Sequence, residues 1–348
     1  MKKKTLFLLL GLWLLPTACE ANDGFGGLST TGLQFHKTNQ VRMVREDLFL
    51  SPERVEVRYL FHNDGREAVQ GEIIFPLPPI SLGGLVDSGF ALDEHQLASD
   101  NPVNFTLRIN GKAQPVQVER IAVIEPPYEE RRQPAVSYDN PGKEVTSILK
   151  EHAIPLSLAH PQVAAFLARL PQPTLKRLQE LRLVELFDGE PPQPLWSIML
   201  RYHWAQSFAA GQDLVIEHSY NPAPPGGIFI WPAAKQPLDP YQQELVRDFC
   251  IDESTQRGLI KLLHAPGKGD MAGNGMAVFL DYVLTTANTW KGPIGSFHLT
   301  IDKGKPGNIL SLCIDGLRKT GPTRFEMEQS NFTPRKDLRL MIVSPLEN

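Results

Sequence analysis

Histidines near carboxylates are the side chains of this sequence best suited to acid–base or metal chemistry. His203 and His218 stand on two successive runs of alternating apolar and polar residues, with Asp213 and Glu217 close to the second. If the runs pair as a hairpin, cross-strand neighbours meet within about 5 Å, close enough to share a metal or relay a proton. The alternative is that each is a half-buried histidine satisfied by hydrogen bonds. His203 and His218 are therefore the candidates for a binding site.

Other chemistries lack their sequence patterns. The nine histidines form no His-Glu-x-x-His and no i, i+4 helical pair, as a metalloprotease needs. No Gly-x-Ser-x-Gly elbow is present. The glycine-rich run 267–275 has neither the dinucleotide-binding nor the P-loop spacing, and a connector explains it. The sequence thus assigns no catalytic residue, no metal ligands and no cofactor, and it favours a protein that is not an enzyme.

The N-terminus has the pattern of a secretory leader. A basic segment at residues 2–4 precedes an apolar run, Leu6 to Leu15, and a small-x-small site that ends at Ala21. Cleavage after Ala21 gives a periplasmic or extracellular chain, and the apolar run is too short to span a bilayer. The alternative is a lipoprotein processed at Cys19, although Pro16 stands where such sites usually carry leucine. No later segment predicts a membrane span in the mature chain.

Export determines how the remaining cysteines are interpreted. After cleavage only Cys250 and Cys313 are left, an even pair in an oxidising compartment, which predicts a disulfide. A buried free pair and a redox site are the alternatives, but the Cys-x-x-Cys spacing typical of redox sites is absent. The predicted bridge is therefore structural.

Composition is that of an ordinary globular protein. The 348 residues are 42% hydrophobic and 21% charged, which is enough for two domains with cores of their own. Loss of the leader, with three lysines and Glu20, moves the formal charge from −4 to −6. An acidic chain argues against nucleic acid as a partner.

Period-two patterning dominates the chain and predicts a mainly β fold with helical insertions, α+β, in two antiparallel β-sandwich-like domains. Residues 22–225 are predicted to form the first domain, with a helical insertion at about 144–190. Residues 226–348 are predicted to form the second, in which a helical pair at 240–264 precedes an antiparallel sheet. Asp239 and Asp252 are positioned to cap that pair. Hairpins are predicted at residues 63–65, at Asn110-Gly111 and at Ala210-Gly211. Thr286 to Gly304 is predicted to be two strands joined by a Gly/Pro turn.

Several segments of the sequence resemble a known family. They are GLQFHKT at 32–38, EDLFLSPERVEVRYLFHN at 46–63, FPLPP at 75–79, HWAQSFAAG at 203–211, DFCID around Cys250, TTANTWKGPIGSFHLTIDKG at 285–304 and CIDGLRKTGPTRFE from Cys313. Together they resemble the bacterial exported family named domain of unknown function 4424, over about Asn22 to Val343. The resemblance implies export, a β-rich architecture and the cysteine pair, and it transfers no catalytic residue.

Two classes of function fit these observations. The first is an exported bacterial protein that acts as a non-catalytic binding or envelope-assembly module, with an unknown envelope protein or glycan as its partner. The alternative is a hydrolase of envelope material whose carboxylates and histidines converge only in three dimensions. A cleft that gathers His203 and His218 favours the hydrolase, whereas side chains that face apart favour the binding module.

Overall fold

The computed structural model describes residues 23–29, 32–83, 94–126, 142–222, 224 and 226–346. The predictions made for residues 1–21, the leader and Cys19, lie outside these ranges. Within them, no helix combines the length and the hydropathy that crossing a bilayer requires.

Strands make up most of the regular structure, as the sequence predicts. In chain order they are β1 (Gly24–Ser29), β2 (Gly32–Phe35), β3 (Val41–Leu50), β4 (Val55–Asn63), β5 (Val69–Pro76), β6 (Ile80–Ser81), β7 (Thr106–Ile109), β8 (Lys112–Gln114), β9 (Gln117–Ile124), β10 (Lys143–Glu144), β11 (Val184–Glu185), β12 (Gln193–Pro194), β13 (Ser197–Phe208), β14 (Asp213–Tyr220), β15 (Gly226–Ile230), β16 (Asn274–Tyr282), β17 (Ile294–Asp302), β18 (Ile309–Leu312), β19 (Arg318–Lys319), β20 (Arg324–Phe332) and β21 (Leu338–Pro345). The helices are α1 (Glu94–Ala98), α2 (Thr146–Glu151), α3 (His160–Leu167), α4 (Gln172–Glu180), α5 (Pro240–Asp248) and α6 (Glu253–Leu263). The prediction of a mainly β chain with helical insertions is confirmed.

Two large sheets contain most of these strands. The eight-stranded sheet has the order β19-β20-β17-β3-β4-β14-β7-β8, and the seven-stranded sheet has the order β10-β9-β13-β5-β1-β2, with β6 beside β13. The pairs are antiparallel except β17 with β3, which is parallel. That pairing joins strands from the predicted N-terminal and C-terminal segments in one sheet.

Aromatic side chains fill the space between the two large sheets. The ring of Phe105, just before β7, stacks on the ring of Tyr202 in β13 with centroids 4.3 Å apart. Phe61 in β4 meets Phe208 in β13 at 5.7 Å. Because these contacts join strands of different sheets, the sheets pack face to face as a sandwich, and their opposite faces lie outside this core.

A β-bulge in β3 determines which side chains reach the outer face of the eight-stranded sheet. The pairing of β3 with β4 shifts between Met43 and Arg45, so Val44 has no partner of its own. Beyond the bulge Glu46 is buried and Asp47 is partly exposed. Gly295 of β17 accommodates this bulge, because a Cβ atom there would lie 2.5 Å from the carbonyl oxygen of Val44.

A four-stranded sheet, β15-β16-β21-β18, carries helices α5 and α6 on one face. Both predicted caps form, since the Asp239 side chain accepts a hydrogen bond from the backbone N–H of Gln242 and Asp252 accepts one from Thr255. Leu245 of α5 and Leu259 of α6 are buried in the same small core as Phe229 of β15. This unit is held mainly by apolar packing, with capped helix starts.

Two predicted hairpins are wrong. Strands β4 and β5, on either side of Asn63-Asp64-Gly65, belong to different sheets, and so do β13 and β14 around Gly211. The side-chain amide of Asn63 donates hydrogen bonds to the carbonyls of Glu67 and Phe208, and its oxygen accepts one from Gly65. These bonds lead the chain over the edge of the sandwich, so the connection crosses between sheets. The third predicted hairpin, at Asn110-Gly111, is confirmed as β7 and β8.

The segment Thr286 to Gly304 contains one strand, and the prediction of two is wrong. Thr285–Thr289 forms a 3₁₀ helix, and β17 follows after the turn at Gly292. Asp337 explains the helix, because one of its carboxylate oxygens accepts hydrogen bonds from the backbone N–H groups of Leu284 and Thr285 and from the Thr285 hydroxyl. A partner far along the chain thus stabilises a turn that strand periodicity does not predict.

Candidate binding groove

A groove of about 700 Å³ lies on the eight-stranded sheet, on the face turned away from the sandwich core. It is built by five neighbouring strands, β17, β3, β4, β14 and β7, whose alternate side chains point outward. Its polar side chains are those of Asp47, Glu56, Arg58, Thr106, Arg108, Glu217, Ser219, His298 and Thr300. The groove is therefore an open polar surface on a rigid sheet.

Charged side chains form one row across the floor of the groove. The backbone register places His298 beside Asp47, Asp47 beside Arg58, Arg58 beside Glu217 and Glu217 beside Arg108. Opposite charges alternate along most of this row, which is the arrangement that cross-strand pairs favour. The row links five strands from distant parts of the sequence.

A second row, two residues along each strand, is less charged. It runs through Thr300, Phe49, Glu56, Ser219 and Thr106, each next to the one before it in the register. The hydroxyls of Thr106 and Ser219 are 2.9 Å apart and share a hydrogen bond. This row adds hydroxyl groups and one aromatic ring to the charged row beside it.

Ion pairs fix the orientation of the charged side chains. The guanidinium of Arg58 lies 3.3 Å from the carboxylate of Glu217, and both side chains remain more than a third exposed. Arg45 donates hydrogen bonds to both carboxylate oxygens of Asp47, which raises the pKa of the guanidinium. The His298 ring lies 3.6 Å from the same carboxylate. The groove therefore presents preorganised donors and acceptors to solvent.

His218 lies in the core and not in the groove. Its side chain has no exposed surface, so it borders the groove only through its backbone. The ring packs against Phe75 and Phe105, with centroids 4.4 and 5.1 Å away, and its Nε2 atom lies 3.3 Å from the carboxylate of Asp23. Burial raises the pKa of Asp23, and the nearby imidazole offsets part of that rise.

His203 lies in the other sheet and faces away from His218. Its neighbour Trp204 turns towards His218, with ring centroids 6.4 Å apart, so His203 points to the opposite face of β13. There its Nδ1 atom lies 2.6 Å from a carboxylate oxygen of Glu72, and the His203 side chain is 8% exposed. The structure thus does not bring His203 and His218 together in one site.

Cys250 and Cys313 form a disulfide bond, with their Cα atoms 5.1 Å apart. Cys250 follows α5 and Cys313 follows β18. The bond therefore ties the end of a helix to the four-stranded sheet that this helix covers. Among the described residues, no group of three or more His, Cys, Asp or Glu side chains is arranged to hold a metal ion.

Comparison with known proteins agrees with the sequence motifs. A family model described as "Domain of unknown function (DUF4424)" matches residues 21–341, nearly the whole chain. The chain belongs to the DUF4424 family. No curated protein matches this DUF4424 chain.

One solved structure similar to this DUF4424 chain comes from Legionella pneumophila subsp. pneumophila str. Philadelphia 1. It is described as that of a "putative nutrient binding protein". The two chains are 14% identical, with a TM-score of 0.43, and the match covers 93% of the DUF4424 chain and 71% of the other.

The groove is the feature of this DUF4424 chain that sequence reasoning missed. Its residues alternate with buried ones along their strands, as Arg58 does between Val57 and Tyr59, so each strand was predicted to have one exposed polar face. In the sequence, Glu217 is distinguished only as a neighbour of His218. The signal that could have located the groove is the charged residue at the middle of several strands, but the strand order that aligns them is not visible in sequence.

Proposed function

We propose that this is an exported bacterial protein that acts as a non-catalytic binding module, with an envelope protein or glycan held in the groove of the eight-stranded sheet. The proposal rests on the groove itself. Its two rows of polar side chains lie on five hydrogen-bonded strands, a rigid support of the kind on which precise binding sites are built. A concave surface with convergent polar groups is where a ligand is expected to bind.

The ionised groups of the groove are suited to binding. Glu217 and Arg58 pair with each other, as do Asp47 and Arg45. A carboxylate that is oriented by an arginine presents its oxygens as hydrogen-bond acceptors to a ligand. A general acid must instead carry a proton and release it during the reaction. The pairing therefore supports recognition over acid–base catalysis.

A hydrolase that uses His203 and His218 together has less support. The two rings face away from each other on different sheets, and each has its own carboxylate, Glu72 for His203 and Asp23 for His218. Neither ring points into the groove. The burial of both imidazoles leaves them little access to a ligand.

The leader pattern of residues 1–21 and the bond between Cys250 and Cys313 support export. Stable disulfides form in the periplasm and outside the cell and are rare in the cytosol. Export to the periplasm or beyond places the groove next to envelope material. That location is part of the proposal.

Co-sedimentation with isolated cell envelopes tests the binding function. The test variant is Arg58→Gln/Glu217→Gln, and the control is Arg177→Gln/Glu180→Gln, which removes an exposed pair on α4 and also leaves the net charge unchanged. We expect the purified wild-type chain and the control to sediment with envelopes and the groove variant to remain in solution. Equal sedimentation of all three chains contradicts the proposal.

A further inference from the structure

Every carboxylate on the groove floor is already paired with an arginine. The three pairs are Asp47 with Arg45 at 2.6 Å, Glu217 with Arg58 at 3.3 Å and Glu56 with Arg54 at 3.3 Å. The remaining arginine, Arg108, donates a hydrogen bond to the carbonyl of Gly111. A strongly charged ligand would have to displace these internal partners. With three carboxylates and four arginines in these contacts, the surface is nearly balanced in charge and rich in directed hydrogen-bonding groups.

We propose that the ligand is a neutral glycan, an inference that rests on the binding function proposed above. An arginine–carboxylate pair offers N–H donors directly beside oxygen acceptors. A sugar hydroxyl both donates and accepts, so two neighbouring hydroxyls can bind such a pair without a net change of charge. Thr300, Ser219 and Thr106 add hydroxyls that act in both ways in the second row.

The dimensions of the groove fit a chain of sugars laid across the strands. Neighbouring strands lie about 4.8 Å apart, so the five strands that build the floor span about 19 Å. The repeat of an extended hexose chain is close to the strand spacing. Each sugar can therefore meet the side chains of one strand in the charged row, from His298 to Arg108.

A peptide is a poorer fit to the same groove. Strands β3, β4 and β14 each have a hydrogen-bonded strand on both sides, so this floor offers no free sheet edge for an added strand. Protein partners also need pockets for aromatic or aliphatic anchors. Phe49 is the aromatic residue that lines the groove, and the guanidinium of Arg54 lies 5.8 Å from its ring centre. These features favour a glycan over a protein.

Isothermal titration calorimetry tests the inference with two neutral probes that form extended chains, cellohexaose and hexa-N-acetylchitohexaose, and one acidic probe, hexagalacturonate. We expect a neutral hexasaccharide to bind, with an affinity that changes little between about 0.05 and 0.5 M salt because no counter-charge is screened. Arg58→Gln/Glu217→Gln should weaken binding about tenfold or more. Arg177→Gln/Glu180→Gln should leave it unchanged. Thr106→Ala/Ser219→Ala, in the second row, should also weaken binding and serves if the first variant does not fold.

Two sets of outcomes separate this inference from the binding function. If no neutral probe binds, while the chain still sediments with envelopes in a way that the groove variant abolishes, the glycan inference is overturned and the binding function stands. Binding of hexagalacturonate alone, lost at high salt, also overturns it. If the chain binds neither the probes nor the envelopes, both proposals are contradicted.

Discussion

Arg58 and Glu217 face each other as cross-strand partners at the middle of the groove, with the guanidinium 3.3 Å from the carboxylate. Their strands, β4 and β14, come from distant parts of the chain and meet at the centre of the eight-stranded sheet. Both side chains are open to solvent, so the pair orients hydrogen-bonding groups and adds little to the stability of the fold. Binding and folding can therefore be tested separately at this position.

Removal of the Arg58–Glu217 pair should leave the fold nearly as stable as before. A double-mutant cycle with Arg58→Gln and Glu217→Gln should give a coupling free energy of about 0.2 to 1 kcal/mol, because exposed pairs gain little over water. Urea unfolding of the four chains measures it. A coupling well above about 2 kcal/mol would mean that the pair is structural and that its variants are unsuitable for testing binding.

The pair formed by Asp23 and His218 should matter far more for folding. Both side chains are fully buried, so Asp23→Ala leaves the imidazole in the core without its carboxylate partner. We expect a loss of about 1 to 3 kcal/mol in the free energy of unfolding. Glu180→Ala is the control, since Glu180 pairs with Arg177 on the exposed surface of α4 and its loss should cost less than about 1 kcal/mol. Similar losses for the two variants would show that the buried pair has no special role.

Asp23 should also make stability depend on pH. Burial raises its pKa above the usual 3.8, so the folded chain holds this proton more tightly than the unfolded chain. The resulting stabilisation is fully present below pH 3.8, the ordinary pKa that applies to the unfolded chain, and it is lost as the pH rises through the raised pKa of the folded chain. The stability of the wild type relative to Asp23→Asn should therefore fall as the pH rises across that window. Urea unfolding at stepped pH measures this difference, and a difference that rises with pH contradicts the assignment.

The bond between Cys250 and Cys313 should contribute strongly to stability, because it closes a loop of 63 residues. The chain-entropy model gives about 4 kcal/mol for a loop of this length. Cys250→Ser/Cys313→Ser should lower the free energy of unfolding by about that amount in urea. Thiol labelling of the wild-type chain under denaturing, non-reducing conditions should modify neither residue. Labelling of both cysteines would show that they form no disulfide bond.

Local features were predictable from sequence because their determinants lie within a few residues. The caps at Asp239 and Asp252 and the turn at Asn110-Gly111, with φ values of 49° and 75°, follow from short-range chemistry. The turn at Asn63 is different. Its side chain bonds to the carbonyl of Phe208, a residue far along the chain, and this bond directs β4 and β5 into different sheets.

The groove was beyond sequence reasoning for a related reason. Each of its strands reads as an ordinary half-exposed strand, and only the tertiary strand order brings Arg58, Glu217 and His298 onto one floor. The unpaired residue Val44 also decides that Asp47 faces outward, and a single bulge reverses which side chains of a strand are exposed. The candidates His203 and His218 were predicted as hairpin neighbours. They lie on different sheets because the tertiary strand order, which the sequence does not reveal, separates β13 from β14.

Photo-crosslinking in the cell is the most direct test of the groove as a binding site. A benzophenone amino acid replaces Thr300, on the groove floor, or Lys176, an exposed position on α4 that serves as the control. We predict that irradiation yields an envelope adduct from position 300 and none from position 176, and that Arg58→Gln/Glu217→Gln suppresses the adduct. Equal adducts from both positions, or an adduct that the groove variant leaves unchanged, would contradict the account.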